Sequence, residues 1–248
     1  MRVISFVSGK GGVGKTSLTA NVAASLQARG HRVLAVDLDP QNSLRLQFAM
    51  EPGDPAGLIR EGMQQQALFD SPQGVNFLPF GQAEPADLQE FAHFLRKNPR
   101  WVADSLAALK PVGYDFVCID TPPGSSPFLD QALQAANQAL IVVAPDAASY
   151  ATLPQFRQLI ASATQARQDF NGMHILINRM PVSGILGHQI RNAIANESPG
   201  ELIPVTIHRD PRVGQALAHQ ETVVQHAPGA MVSMDIQYLV DWLLENPA

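Results

Sequence analysis

"SFVSGKGGVGKTS", Ser5–Ser17, puts two lysines, Lys10 and Lys15, into one glycine-rich loop. The loop follows the apolar run Val3–Val7 and precedes a helical pattern over Thr16–Arg29. Gly9-x-x-x-x-Gly14-Lys15-Thr16 has P-loop spacing, in the strand–loop–helix setting that such a loop requires. Gly9, Gly11, Gly12 and Gly14, with Lys10 and Val13 between them, let successive N–H groups converge on phosphate oxygens. The helix start at Thr16 and Ser17 adds its dipole. Lys15 is expected to reach the β- and γ-phosphates of a bound nucleotide, and the Thr16 hydroxyl to ligate Mg²⁺. A phosphate cradle needs one lysine at its end, so spacing alone leaves Lys10 without a role.

Such a loop also demands carboxylates at the ends of neighbouring strands. "VLAVDLDPQ" supplies Asp37 and Asp39, two residues apart and on one face if the extended backbone continues. "YDFVCIDTPPG" ends an apolar run at Asp120. Asp120 suits a metal-holding role, shared with Thr16 and Asp37, and Asp39 suits positioning the attacking water. Asn178, followed by Arg179, closes the run "HILIN"; a carboxamide can both accept from adenine N6 and donate to N7, which favours ATP. "IHRDP", with His208, Arg209, Asp210 and Pro211, is expected to form the other wall of the base pocket.

Further apolar runs at Val33–Val36, Phe116–Ile119, Leu140–Val143, Ile175–Ile177 and Ile203–Ile207 lack period-two alternation and predict strands buried on both faces. Helical segments are predicted between them, over Leu88–Lys97, Trp101–Lys110, Phe128–Ala136, Tyr150–Ala166, Leu186–Asn196 and Val232–Glu245. The fold class is therefore α/β: a doubly wound, mostly parallel sheet with helices on both faces. The 248 residues read as one domain, 1–248, with 51–84 as an irregular excursion that holds a strand-like "VNFLPF" at Val75–Phe80.

Acidic residues outnumber basic ones, 22 to 17, which disfavours a nucleic-acid coat. The single cysteine, Cys118, excludes a disulfide framework and fits a reducing cytoplasm. The N-terminal "VISFV" is too short for a signal-peptide core, and the longest apolar runs are too short for a membrane span.

"KGGVGKT", "VDLDPQ", "IDTPPG", "ILINR" and the closing "HRDPRVGQALAHQETVVQHAPGA" occur in the order and spacing of the MinD/ParA family of deviant Walker ATPases, which the chain resembles along essentially its whole length. "NFLPFGQ", "HILIN" and "IHRDPRVGQALAHQ" look most like the branch that accompanies bacterial cellulose synthase, the BcsQ proteins. The resemblance implies a P-loop fold that binds ATP with Mg²⁺ and closes into an ATP-dependent homodimer. It implies that Lys10 crosses to the partner's nucleotide, that Asp39 is the hydrolytic aspartate, and that slow hydrolysis dissolves the dimer. The branch implies a small BcsR-like partner and recruitment of a cytoplasmic protein to the membrane-bound cellulose synthase complex.

Three rivals stand beside this reading. One is a non-enzymatic binding module with a merely structural nucleotide, which the complete Asp39, Asp120 and Thr16 chemistry argues against. A DNA-binding partition ATPase wants basic side chains for phosphate contacts. The chain has four lysines, two of them in the P-loop, and one tight basic cluster at Arg96, Lys97 and Arg100. A MinD-like membrane switch wants a basic amphipathic C-terminal helix. "MVSMDIQYLVDWLLENPA" instead carries Asp235, Asp241 and Glu245, so its leucines and Trp242 are expected to pack on the domain and no direct membrane insertion is expected.

Overall fold

The computed structural model describes every residue except 52, 110, 111, 247 and 248. Among the described residues eight strands form one sheet: β1 (Arg2–Val7), β2 (Val33–Asp37), β3 (Phe69–Asp70), β4 (Asn76–Leu78), β5 (Phe116–Asp120), β6 (Gln138–Val143), β7 (Met173–Met180) and β8 (Leu202–His208). Their order is β3-β4-β2-β5-β1-β6-β7-β8, and only the β3–β4 pair is antiparallel.

Alternation along the strands decides the layers. Ile4 and Phe6 of β1, Ala35 of β2 and Cys118 of β5 join one apolar cluster, while Val3, Leu34, Val36, Val117 and Ile119 lie in another across the sheet. The first face is covered by α1 (Lys15–Ala28), through Leu18, Val22 and Leu26, and by α10 (Met231–Glu245), through Ile236, Leu239 and Leu243. The second is covered by α3 (Pro85–Lys97), α4 (Trp101–Ala108), α5 (Pro127–Ala135), α6 (Ala147–Thr164) and α7 (Ile185–Glu197). Short helices α2 (Leu58–Glu61), α8 (Arg212–Ala218) and α9 (Val223–His226) complete the chain. This is the doubly wound α/β architecture expected from the buried runs.

β1 lies where the chain order turns: β5 and β2 are on one side of it, β6 and β7 on the other. A crevice opens at the carboxyl ends of strands at such a point, and the P-loop leaves β1 directly into it.

Four local differences from expectation have visible causes. Residues 51–84 are less irregular than expected, because β3 and β4 extend the sheet beyond β2. α3 begins at Pro85 rather than Leu88, where Glu84 and Asp87 form a reciprocal capping box. α6 begins at Ala147 rather than Tyr150, because the Asp146 carboxylate accepts the Ser149 N–H. The segment after β8, expected only as a pocket wall, forms α8 and α9. The expected helix end at Lys110 lies outside the described residues.

Cys118 is a buried core thiol whose pKa burial pushes up to about 12. Phe94 and Trp101 meet edge to face at 5.8 Å between α3 and α4. Trp242 packs edge-on against His174 at 4.9 Å. Among the described residues no helix is long and apolar enough to cross a membrane.

Candidate active site: a phosphate loop with two lysines

The loop from Ser8 to Gly14 is held from both sides. Gly12 and Gly14 have φ of 74° and 92°, a left-handed conformation that favours glycine. A Cβ on Gly14 would come within 2.4 Å of Asn178 Nδ2. Asn178 donates from that nitrogen to the Val13 carbonyl at 2.7 Å, and the Arg179 guanidinium donates to the Gly12 carbonyl. The residue expected to read the base thus also clamps the P-loop, with one of its two N–H donors.

Lys15 is buried, and its ammonium donates to Ser8 Oγ at 2.8 Å. The Ser8 hydroxyl in turn donates to the Lys10 carbonyl at 2.7 Å. Burial lowers the Lys15 pKa, opposed by the charges of Asp120 and Asp39. Ser8 sits inside the stretch that decided the sequence reading, yet nothing in the P-loop spacing marked it.

Asp37 and Asp120 are register partners at the ends of β2 and β5, on the strand face of Ala35 and Cys118, which is the α1 face. Both are fully buried. Asp120 Oδ2 accepts the Thr16 hydroxyl at 2.6 Å, and Oδ1 has no hydrogen-bond partner among the described residues. Burial pushes the Asp120 pKa up to about 7, against the pull of Thr16 and Lys15. Asp37 is also raised well above the usual carboxylate range, first by burial and then by the Asp120 charge. Its two oxygens accept the backbone N–H groups of Asp39 at 2.9 Å and Leu44 at 3.1 Å. β2 ends at Asp37, so Asp39 is placed by this turn rather than by continued strand alternation. Half-buried Asp39 accepts the Gln41 N–H at 3.0 Å and lies close enough to Lys15 and Asp120 to perturb both.

This donor set fits a polyphosphate with a divalent cation. Two buried acids and one buried ammonium are costly as they stand, and an orphaned carboxylate oxygen points to a missing ligand. Among the described residues no group of three or more His, Cys, Asp or Glu forms a metal cage. Mg²⁺ needs none, since one or two carboxylates plus substrate phosphates hold it in such sites.

Beside the loop lies a cleft of about 520 Å³, lined by Gly14, Ser17, Asn178, Arg179, His208, Arg209, Asp210 and Pro211 with apolar Leu18, Ile207, Val213, Val223, Val232 and Ile236. The structure therefore brings the expected base-pocket residues together. Asp235 of α10 fixes the far wall: one of its oxygens bonds both the His208 N–H and ring Nδ1 at 2.9 Å. No sequence signal connected Asp235 to His208.

Lys10 lies apart from this trench. Its ammonium bonds Asp146 at 3.1 Å over a second hollow of about 260 Å³, lined by Lys10, Gly11, Gly12, Val13, Ala144, Pro145, Asp146, Arg179 and Arg209.

Residues 1–244 match the family described as "Cellulose biosynthesis protein BcsQ". The chain belongs to the BcsQ family. A BcsQ protein of Escherichia coli is 31% identical over 254 residues, covering 99% of this chain and 95% of that protein. The chromosome-partitioning ATPase Soj of Thermus thermophilus is 31% identical over 232 residues, covering 92% and 89%. This BcsQ-family chain is thus a ParA/MinD-type P-loop ATPase. The fold agrees: cobyrinic acid a,c-diamide synthase from Mycobacterium smegmatis, solved with ADP and magnesium, superposes at a TM-score of 0.81 with 22% identity over 98% of this chain and 94% of that one. MinD of Aquifex aeolicus, solved with MinC, gives a TM-score of 0.76 at 23% identity, over 100% and 97%.

Proposed function

We propose that this chain is a slow, Mg²⁺-dependent ATPase that works as a two-chain switch, acting as one unit in the service of a membrane-bound cellulose synthase complex. The observation that carries the ATPase half is a buried carboxylate, Asp120, close enough to Lys15 to feel its charge, whose unpartnered oxygen and Thr16 bond suit a divalent cation. Thr16 and Asp120 would hold Mg²⁺, which would neutralise phosphate charge. Lys15 would take the β- and γ-phosphates, and Asp37 fixes the turn that carries Asp39. Asp39 then orients water for attack. Asn178, with Arg179 and the wall from His208 to Pro211, grips the base, and the apolar floor excludes water from it.

In this reading Lys10 serves the nucleotide of a second copy, so that ATP joins two chains and hydrolysis parts them. The family match over 1–244 supports the cellulose assignment, a BcsR-like partner and a cytoplasmic protein recruited to the membrane through partners. The test is phosphate release from the purified chain, lost in Asp39→Ala while ATP binding stays. Asp39→Ala trapped in cells should co-purify with cellulose synthase subunits; recovery of other cargo alone contradicts the assignment.

The Soj relative favours one alternative, nonspecific DNA binding. Against it, Arg100 of the basic cluster already pairs with Asp104 at 3.7 Å. An ATP-dependent, salt-sensitive gel shift on random duplex would establish that alternative.

A further inference from the structure

Lys10 donates to both oxygens of Asp146, at 3.2 and 3.1 Å, across 136 residues of chain. Asp146 also has a second role, because its Oδ1 accepts the Ser149 N–H at 2.8 Å and caps α6. That helix packs onto the start of the phosphate loop, where a Cβ on Gly9 would lie 3.2 Å from Thr152 Oγ1. Ser149 and Lys10 hold the Asp146 carboxyl below its usual range, outweighing burial, so it is charged at neutral pH.

The two roles separate cleanly. When Lys10 leaves, Asp146 keeps the Ser149 N–H and the positive end of α6. Arg179 and Arg209 line the same hollow, so the carboxylate keeps cationic neighbours as well. Lys10 and Asp146 side chains are 43% and 42% exposed, so their bond is easily exchanged for a stronger acceptor. Polyphosphate is such an acceptor. The Lys15–Ser8–Lys10 relay links the two lysines, because phosphate that draws the Lys15 ammonium from Ser8 removes the donor that polarises the hydroxyl holding the Lys10 carbonyl.

We propose that Asp146 is a cis latch on Lys10, an autoinhibitory contact that two chains must each give up before they pair across ATP. This rests on the two-chain switch reading above. It makes Asp146 a restraint on pairing rather than a part of the ATP site.

Asp146→Asn keeps a capping oxygen and removes the charge; Asp146→Ser does the same with a shorter side chain. Each is compared with the unaltered latch in an Asp39→Ala background, by sedimentation velocity over a protein titration at saturating ATP. The expected result is half-dimerisation at a protein concentration lower by roughly two- to thirtyfold, two exposed ion pairs per dimer being removed, with ATP affinity unchanged. Should Asp146→Asn fail to fold, Asp146→Ser carries the test. Pairing that is unchanged or weaker, with a normal dimer in the Asp39→Ala parent, overturns the latch alone. No ATP-dependent dimer in that parent or in wild type overturns the switch reading, and the latch with it.

Discussion

Two lysines five positions apart in one loop occupy opposite surroundings. Lys15 is buried, with its ammonium on Ser8 and with Asp120 and Asp39 close by. Lys10 is exposed and bonded to an exposed acid. Burial commits Lys15 to whatever enters its own cleft, because a buried ammonium must be matched by charge on the spot. Exposure leaves Lys10 free to change partners at little cost. One loop therefore holds a fixed lysine and a mobile one.

The largest expected effect lies on the fixed side. Asp39→Ala should cut phosphate release by about 10²–10⁴-fold while retaining ATP, as loss of a water-positioning carboxylate does, measured by steady-state phosphate assay. A variant that hydrolyses normally removes Asp39 from the mechanism. Next, Lys15→Ala should weaken ATP binding by about 10–150-fold, the scale of one charge-assisted contact, read by calorimetric titration. Loss of binding no greater than that of Lys10→Ala would erase the contrast between the two lysines.

Asp120 sharpens the fixed side through pH. Its pKa is raised from 3.8 to about 7, so the folded chain binds the proton more tightly than the unfolded one. The resulting stability is fully present below pH 3.8 and is lost as pH rises through about 7. Asp120→Asn should flatten that slope, leaving the part due to Asp37, and raise the melting temperature of the nucleotide-free protein at pH 8, by about 2–4 °C for each kcal/mol relieved, while abolishing the Mg²⁺ response. Scanning calorimetry from pH 5 to 8 checks both. An unchanged slope means that Asp120 is not the strained acid.

The fixed side was the legible one. Glycine spacing, the strand before it and acids at neighbouring strand ends are local patterns, and they placed Lys15, Thr16, Asp37 and Asp120 in one trench. The mobile side was not. The Lys10–Asp146 bond spans 136 residues, and no local pattern announces such a contact. The Asp146–Ser149 cap was a readable signal for the α6 start, but not for the lysine. Asp37 shows the same limit from within a legible motif: its position was readable, whereas its bonds to the Asp39 and Leu44 N–H groups depend on how the turn closes. β3 went unread because two antiparallel edge residues carry no period, although the neighbouring "VNFLPF" did mark β4. Asp235 reaches His208 from α10, a contact set by helix packing alone.

The mobile lysine carries the central claim, and light scattering of Lys10→Ala tests it most directly, with ATP, with ADP and without nucleotide. The expected result is ATP affinity near that of wild type with no ATP-dependent dimer, because in the proposed switch the side chain removed would serve the other chain's phosphates. A Lys10→Ala protein that pairs with ATP as wild type does would contradict the assignment of two roles to one loop.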